Sequence, residues 1–142
     1  MTDDDATRVQ SFFEMFAAKN AAGDLDGVLQ LFAPTVMIAG PNGTNVLPSN
    51  AMAAAIRNRK QRLDSLGVPS ATLVDCDTIA LDDRYTLART EWRFDLSRLH
   101  TDPITLSSTF LLEHVDAETR IIVYMNHHDI MAVLRERGIV NE

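Results

Sequence analysis

The sequence predicts an α+β domain in which a cone-shaped, curved antiparallel sheet is wrapped by three N-terminal helices and closed by a short C-terminal helix. Three observations lead there. The apolar period is close to about 3.6 residues up to Leu66 and changes to about 2 after Pro69. The run from Ala22 to Ala33 joins two helices through the short acidic turn Gly23-Asp24-Leu25-Asp26-Gly27 and leads directly into a strand. From Asp129 onward the spacing becomes helical again. With 142 residues and no linker, repeat or low-complexity segment, one domain spanning 1–142 is expected.

In the first helix, roughly residues 4 to 21, Val9, Phe12, Phe13 and Phe16 fall on one face. A second helix starts at the N-cap Asp24, carries Leu25, Val28, Leu29 and Phe32 on one face, and stops before Pro34. A strand from Thr35 to Ala39 ends in the loop Gly40-Pro41-Asn42-Gly43, where both glycines can take positive φ. The third helix runs from a cap at Ser49 to about Leu66, with Gly67 and Pro69 ending it. Four strands follow, at Ser70 to Leu81, Tyr85 to Leu96, Ile104 to Val115 and Arg120 to His127, the first two and last two forming antiparallel hairpins. A last helix from Asp129 to Arg137 ends at Gly138.

In the second of those four strands Thr86, Ala88, Thr90, Trp92 and Phe94 alternate with charged residues, so the Trp92 side is expected inside. The last hairpin is less one-sided. A four-residue turn, Asp116 to Thr119, sets Leu111 opposite Tyr124, Thr109 opposite Asn126 and Ser107 opposite His128, leaving Phe110, Leu112, His114, Val123, Met125 and His127 on the other face. Both faces are apolar, which suggests a pocket on one and a subunit interface on the other.

Composition narrows the function. A net charge of −7 argues against nucleic acid as a partner, and the basic run Arg57-Asn58-Arg59-Lys60-Gln61-Arg62 spreads around a helix as a solvated face, with a clamp for an anionic ligand as the other reading. No run reaches the ~18 apolar residues that span a bilayer, so no membrane partner is expected. The acidic start, Met1-Thr2-Asp3-Asp4-Asp5, lacks a basic and apolar leader, and a cytoplasmic location is expected. Cys76 is the only cysteine, which excludes an internal disulfide and a multi-cysteine zinc site. No cofactor is implied, and His127 and His128, on alternate faces of a strand, do not make a metal site.

The element order and the run Gly23 to Ala33 resemble the nuclear transport factor 2-like superfamily, and within it the ketosteroid isomerases and SnoaL-type polyketide cyclases. The resemblance covers nearly the whole chain and implies an internal pocket, no cofactor, and a homodimer through the outer face of the sheet. It also places Tyr124, Asn126 and His128 on the pocket side with Leu111. The isomerase catalytic groups do not carry over. Its oxyanion-donating tyrosine falls on Phe16, its general base on Gly40 before Pro41, and its protonated aspartic acid on Leu111 when the last hairpin is aligned through its turn. Steroid isomerisation is therefore not expected. The limonene epoxide hydrolase pattern is also broken, because its remaining aspartate falls on Asn126.

The candidate site is thus His128, Tyr124 and Asn126 for chemistry, with Phe13, Phe16, Ile38, Gly40, Trp92, Phe94, Thr109 and Leu111 contacting a small, mostly apolar ligand. For His128 the stronger reading is structural, a hydrogen bond to backbone or capping of the last helix through Asp129. Asp75 and Asp77 face solvent opposite Arg89 and Glu91, unless the hairpin slips by one residue, in which case Asp77 becomes a buried base. Two functions remain open: a SnoaL-like cyclase, isomerase or hydrolase working by acid/base chemistry, and a non-catalytic ligand-binding or dimerisation module.

Overall fold

The computed structural model describes residues 3–140, with side chains from Ala6 onward, so the acidic start read above begins outside the described residues. The elements are α1 (Asp3–Ala21), α2 (Leu25–Leu29), β1 (Phe32–Gly40), β2 (Gly43–Pro48), α3 (Ser49–Leu66), β3 (Thr72–Ala80), β4 (Tyr85–Phe94), β5 (Ile104–Val115), β6 (Glu118–Asn126) and α4 (Ile130–Glu136). The strands make one curved, open sheet in the order β2-β1-β6-β5-β4-β3, antiparallel throughout except where β1 runs parallel to β6. Among the described residues no helix is long and apolar enough to cross a membrane.

The acidic turn works as expected at its start. Gly23 takes φ +71°, and the Asp24 carboxylate accepts from the Gly27 amide at 2.9 Å. A Cβ on Gly27 would collide with that carboxylate, so the second glycine of the run is needed for the cap. The second helix is shorter than its spacing suggests. It ends at Leu29, and Phe32 is the first residue of β1, because the Leu31 carbonyl is captured by the Ile121 amide at 2.8 Å. The loop after Gly40 is a tight two-residue turn, and the residues that follow it form a second strand. Pro41 and Asn42 form the tip of a β1–β2 hairpin, in which Gly43 has positive φ and Gly40 does not. Helix α3 matches its expected bounds, but Ser49 is its first residue rather than its cap and bonds the Pro34 carbonyl.

The β4 alternation is as expected, with Thr86, Ala88, Thr90, Trp92 and Phe94 all buried. The β5–β6 register is not. Val115 pairs with Glu118 across a two-residue turn in which Asp116 adopts φ +55°, and a bulge at Ile122 then adds one residue to β6. The result pairs Phe110 with Tyr124 and Ser108 with Asn126, one residue away from the expected Leu111–Tyr124 and Thr109–Asn126 pairs. Since alternate residues point to opposite faces, this single step turns Phe110 and Leu112 inward, both fully buried, and Leu111 and Thr109 outward. Against that concave face α1 packs Val9, Phe12, Phe13 and Phe16, where Phe13 meets Phe110 at 4.7 Å between ring centroids.

Candidate functional site

Between the concave face, α1, α3, the start of α4 and the β1–β2 tip lies a cavity of about 550 Å³. Its inner wall is aromatic and aliphatic: Phe16, Phe32, Ile38, Trp92, Phe94 and Tyr124 all line it. That volume falls within the range of small-molecule sites, and so does the mix of apolar wall with a few polar groups.

The polar groups are ordered by one chain of hydrogen bonds across the sheet. Trp92 Nε1–H donates to Thr90 Oγ1 at 2.7 Å, and the Thr90 hydroxyl donates to the Ser108 carbonyl at 3.0 Å. On the next pair, the Ser108 hydroxyl donates to Asn126 Oδ1 at 3.1 Å. The indole N–H is thereby used inside the wall. The Asn126 Nδ2 group, by contrast, keeps both donors without a partner among the described residues, at a position lining the cavity. Tyr124 stacks its ring on Phe110, and no partner for its hydroxyl is found among the described residues.

At the rim, His128 is exposed and has no hydrogen-bond or ion-pair partner among the described residues. Its neighbour Asp129 is committed: its carboxylate accepts from the Met131 and Ala132 amides as the cap of α4 and from Asn42 Nδ2 at 2.9 Å. Burial pushes the Asp129 carboxyl up, and the bonds from Asn42 and the two amides pull it down by more, leaving it below its ordinary value. His127 points to the other side of the sheet, where its Nε2 meets Thr109 Oγ1 at 2.6 Å.

Eight of the residues singled out from the sequence line the cavity: Phe16, Ile38, Gly40, Trp92, Phe94, Tyr124, Asn126 and His128. Three do not. Phe13 is fully buried in the core behind it, and the register step places Thr109 and Leu111 on the outer face. With Leu111 outside, its alignment to the isomerase's aspartic acid is lost as well. Asp75 and Asp77 stand on the outer face opposite Glu91 and Arg89, so neither is a buried base. Cys76 faces inward at the β3 edge, and its thiol is raised to about 11 by burial and by the charges of Asp75 and Asp77.

Sequence reasoning passes over Ser108 and Thr90, and it favours a solvated face for Arg59, Lys60 and Arg62, which line the cavity mouth from α3. The four-step spacing of Met52, Ile56 and Lys60 is the available sign, because it places part of the basic run on the inward face.

None of the curated proteins compared with the chain matches it in sequence. Solved structures similar in fold include Aln2 from a Streptomyces species, with TM-score 0.74 and 15% identity over 95% of this chain and 98% of that one. A protein of unknown function with a cystatin-like fold from Nostoc punctiforme gives TM-score 0.71 at 11% identity, covering 91% of this chain and 94% of that one. An NTF2-like protein with a cystatin-like fold from Novosphingobium aromaticivorans gives 0.70 at 14% identity, covering 96% and 89% respectively. Residues 4–129 match the family model described as NTF2-like protein (DUF6841), and the chain belongs to that family.

Proposed function

We propose that the protein binds a small, mostly apolar molecule in the cavity, with a carbonyl or hydroxyl oxygen of the ligand accepting from Asn126. The observation that carries this reading is the Ser108–Asn126 bond, which fixes the amide so that its Nδ2 donors are the unspent polar capacity of an aromatic-walled cavity. As an enzyme, the protein would be a cofactor-independent, SnoaL-like cyclase, isomerase or hydrolase, with His128 the acid or base and Tyr124 and Asn126 holding the substrate oxygen. The free rim position of His128 supports that role. The alternative is binding without turnover. A single, half-buried thiol fits the reducing cytoplasm.

Trp92 is the only tryptophan and stands in the cavity wall, so its emission reports occupancy. Titration with a bicyclic ketone such as tetralone is expected to change that emission, and Asn126→Ala to weaken binding roughly five- to tenfold, the worth of one hydrogen bond. The hydrocarbon tetralin should be indifferent to the substitution. An emission unchanged by either compound up to its solubility limit would overturn the reading. His128→Ala then separates the classes, abolishing turnover in an enzyme and leaving binding intact in both.

A homodimer through the outer face of the sheet is part of the same proposal. One unbroken row of apolar side chains crosses all six strands there: Ile79, Leu87, Leu111, Val123, Met37 and Val46, each the register partner of the next. Ile79 and Val46, at its two ends, are 60% and 61% exposed. A row of this length is the kind of surface that a second copy covers. Sedimentation equilibrium should give twice 15.8 kDa, with Ile79→Asp and Leu111→Asp shifting the protein toward monomer. A wild-type monomer at about 100 µM, well above the micromolar Kd of a weak dimer, would exclude the interface.

A further inference from the structure

We infer that the cavity's ligand is an amphipathic anion, an apolar body ending in a carboxylate that is held at the rim by Arg59 and Arg62. The inference rests on the cavity-binding reading above and adds the charge of the ligand and the residues that read it.

Helix α3 lines the cavity with the apolar Met52, Ile56 and Leu63 and, toward the mouth, with Arg59, Lys60 and Arg62 of its basic run. Met52 and Leu63 are buried. Arg59 lines the same cavity but is itself exposed, so it stands at the mouth and not among the packed residues. Arg62, one turn further on, lines the same mouth. An arginine can hold this place by laying its methylene stem along the apolar wall while its guanidinium stays at the water boundary.

The other charges at the mouth are already matched. Lys60 pairs with Asp64 at 3.2 Å, and Asp129 is taken up by Asn42 and by the first amides of α4. Neither the Arg59 nor the Arg62 side chain has a hydrogen-bond or ion-pair partner among the described residues, although the chain carries a net charge of −7 and acidic groups are abundant. What remains at the rim, beside the unpartnered His128, is two planar guanidinium groups with their donors unspent, above an aromatic interior. The guanidinium fork matches a carboxylate through two parallel hydrogen bonds, and the apolar interior takes the rest of such a molecule.

The test compares two fluorescent probes that differ only in charge, dansylated undecanoic acid and its methyl ester, read by dansyl emission on the full chain. The acid is expected to bind roughly tenfold more tightly than the ester at low ionic strength, and most of that advantage should vanish in about 1 M salt, where screening acts within a few ångströms. Arg59→Gln and Arg62→Gln should each cut the acid's advantage while leaving the ester's affinity unchanged. Both residues are exposed, and thermal unfolding checks that the variants keep the fold. Equal binding of acid and ester, or equal weakening of both by the variants, would overturn the anion inference and leave the cavity reading standing. Failure of both probes to bind would overturn the two together.

Discussion

Phe110 and Tyr124 stack across the β5–β6 ladder with ring centroids 4.5 Å apart and planes 26° from parallel, and this one contact ties the core to the cavity wall. Phe110 also meets Phe13 on α1, so it stands between the helix and the sheet. Phe110→Ala should cost about 3–5 kcal/mol in urea unfolding, the usual range for deleting a buried aromatic ring. Tyr124→Phe keeps the stack and removes only the hydroxyl, and its unfolding midpoint should move by much less.

Glu113 is the acidic centre of a small outer network. Its carboxylate receives Arg84 at 2.7 Å and Arg120 at 3.0 Å, and these bonds hold its pKa below the ordinary glutamate value. Because the unfolded chain returns it to about 4.3, the stabilisation is fully present above that value and is lost as pH falls through the lower folded-state value. Glu113→Gln should therefore lower Tm at neutral pH, and the gap to the wild type should narrow as the solution is taken below about pH 4.

Cys76 has its thiol raised from 9.0 to about 11, first by burial and then by Asp75 and Asp77 on either side. At mildly alkaline pH the folded protein then holds on the order of a hundredfold less thiolate than an unperturbed thiol would. Reaction with a disulfide reagent at about pH 8 should be slow in the native protein and should accelerate by about that factor in denaturant. Asp75→Asn should speed the native reaction, and by less than unfolding does.

Asp129 links two pieces of structure, since it caps α4 and also holds Asn42 at the β1–β2 tip. Asp129→Ala should cost about 1 kcal/mol, the typical worth of an N-cap. Hydrogen exchange should show the added loss at the hairpin tip, with the amides near Asn42 exchanging faster. Asn42→Ala should reproduce the tip effect without weakening α4.

Much of this architecture is visible in the amino acids themselves. The β4 alternation around Trp92, the α3 boundaries and the capping by Asp24 follow from local chemistry, and Tyr124 and Asn126 share a face simply because they are two apart. What is not legible is set by features that leave no local mark. The bulge at Ile122 and the tight turn at Asp116 together move the β5–β6 register by one, and nothing in the run of apolar residues on both faces marks that shift. Thr109 and Leu111 are misplaced for that reason alone. Strand β2 is short and largely exposed, so Gly43 to Pro48 carries no alternation to read. Phe32 continues the spacing of α2 perfectly, and only its distant partner Ile121 makes it a strand residue.

That distant pairing also governs how the chain can be assembled and cut. β6 lies in the interior of the sheet, with β1 on one side and β5 on the other, although it is the last strand made. Until Glu118 to Asn126 has been synthesised, the β1–β2 hairpin has no neighbour and the β3-β4-β5 meander ends in an open edge. A nascent chain therefore carries two unjoined half-sheets, and closure waits for contacts between residues far apart in sequence, a slow step for any fold. A truncation before β6 would remove the seam rather than a margin, separating the two halves while leaving every earlier strand intact.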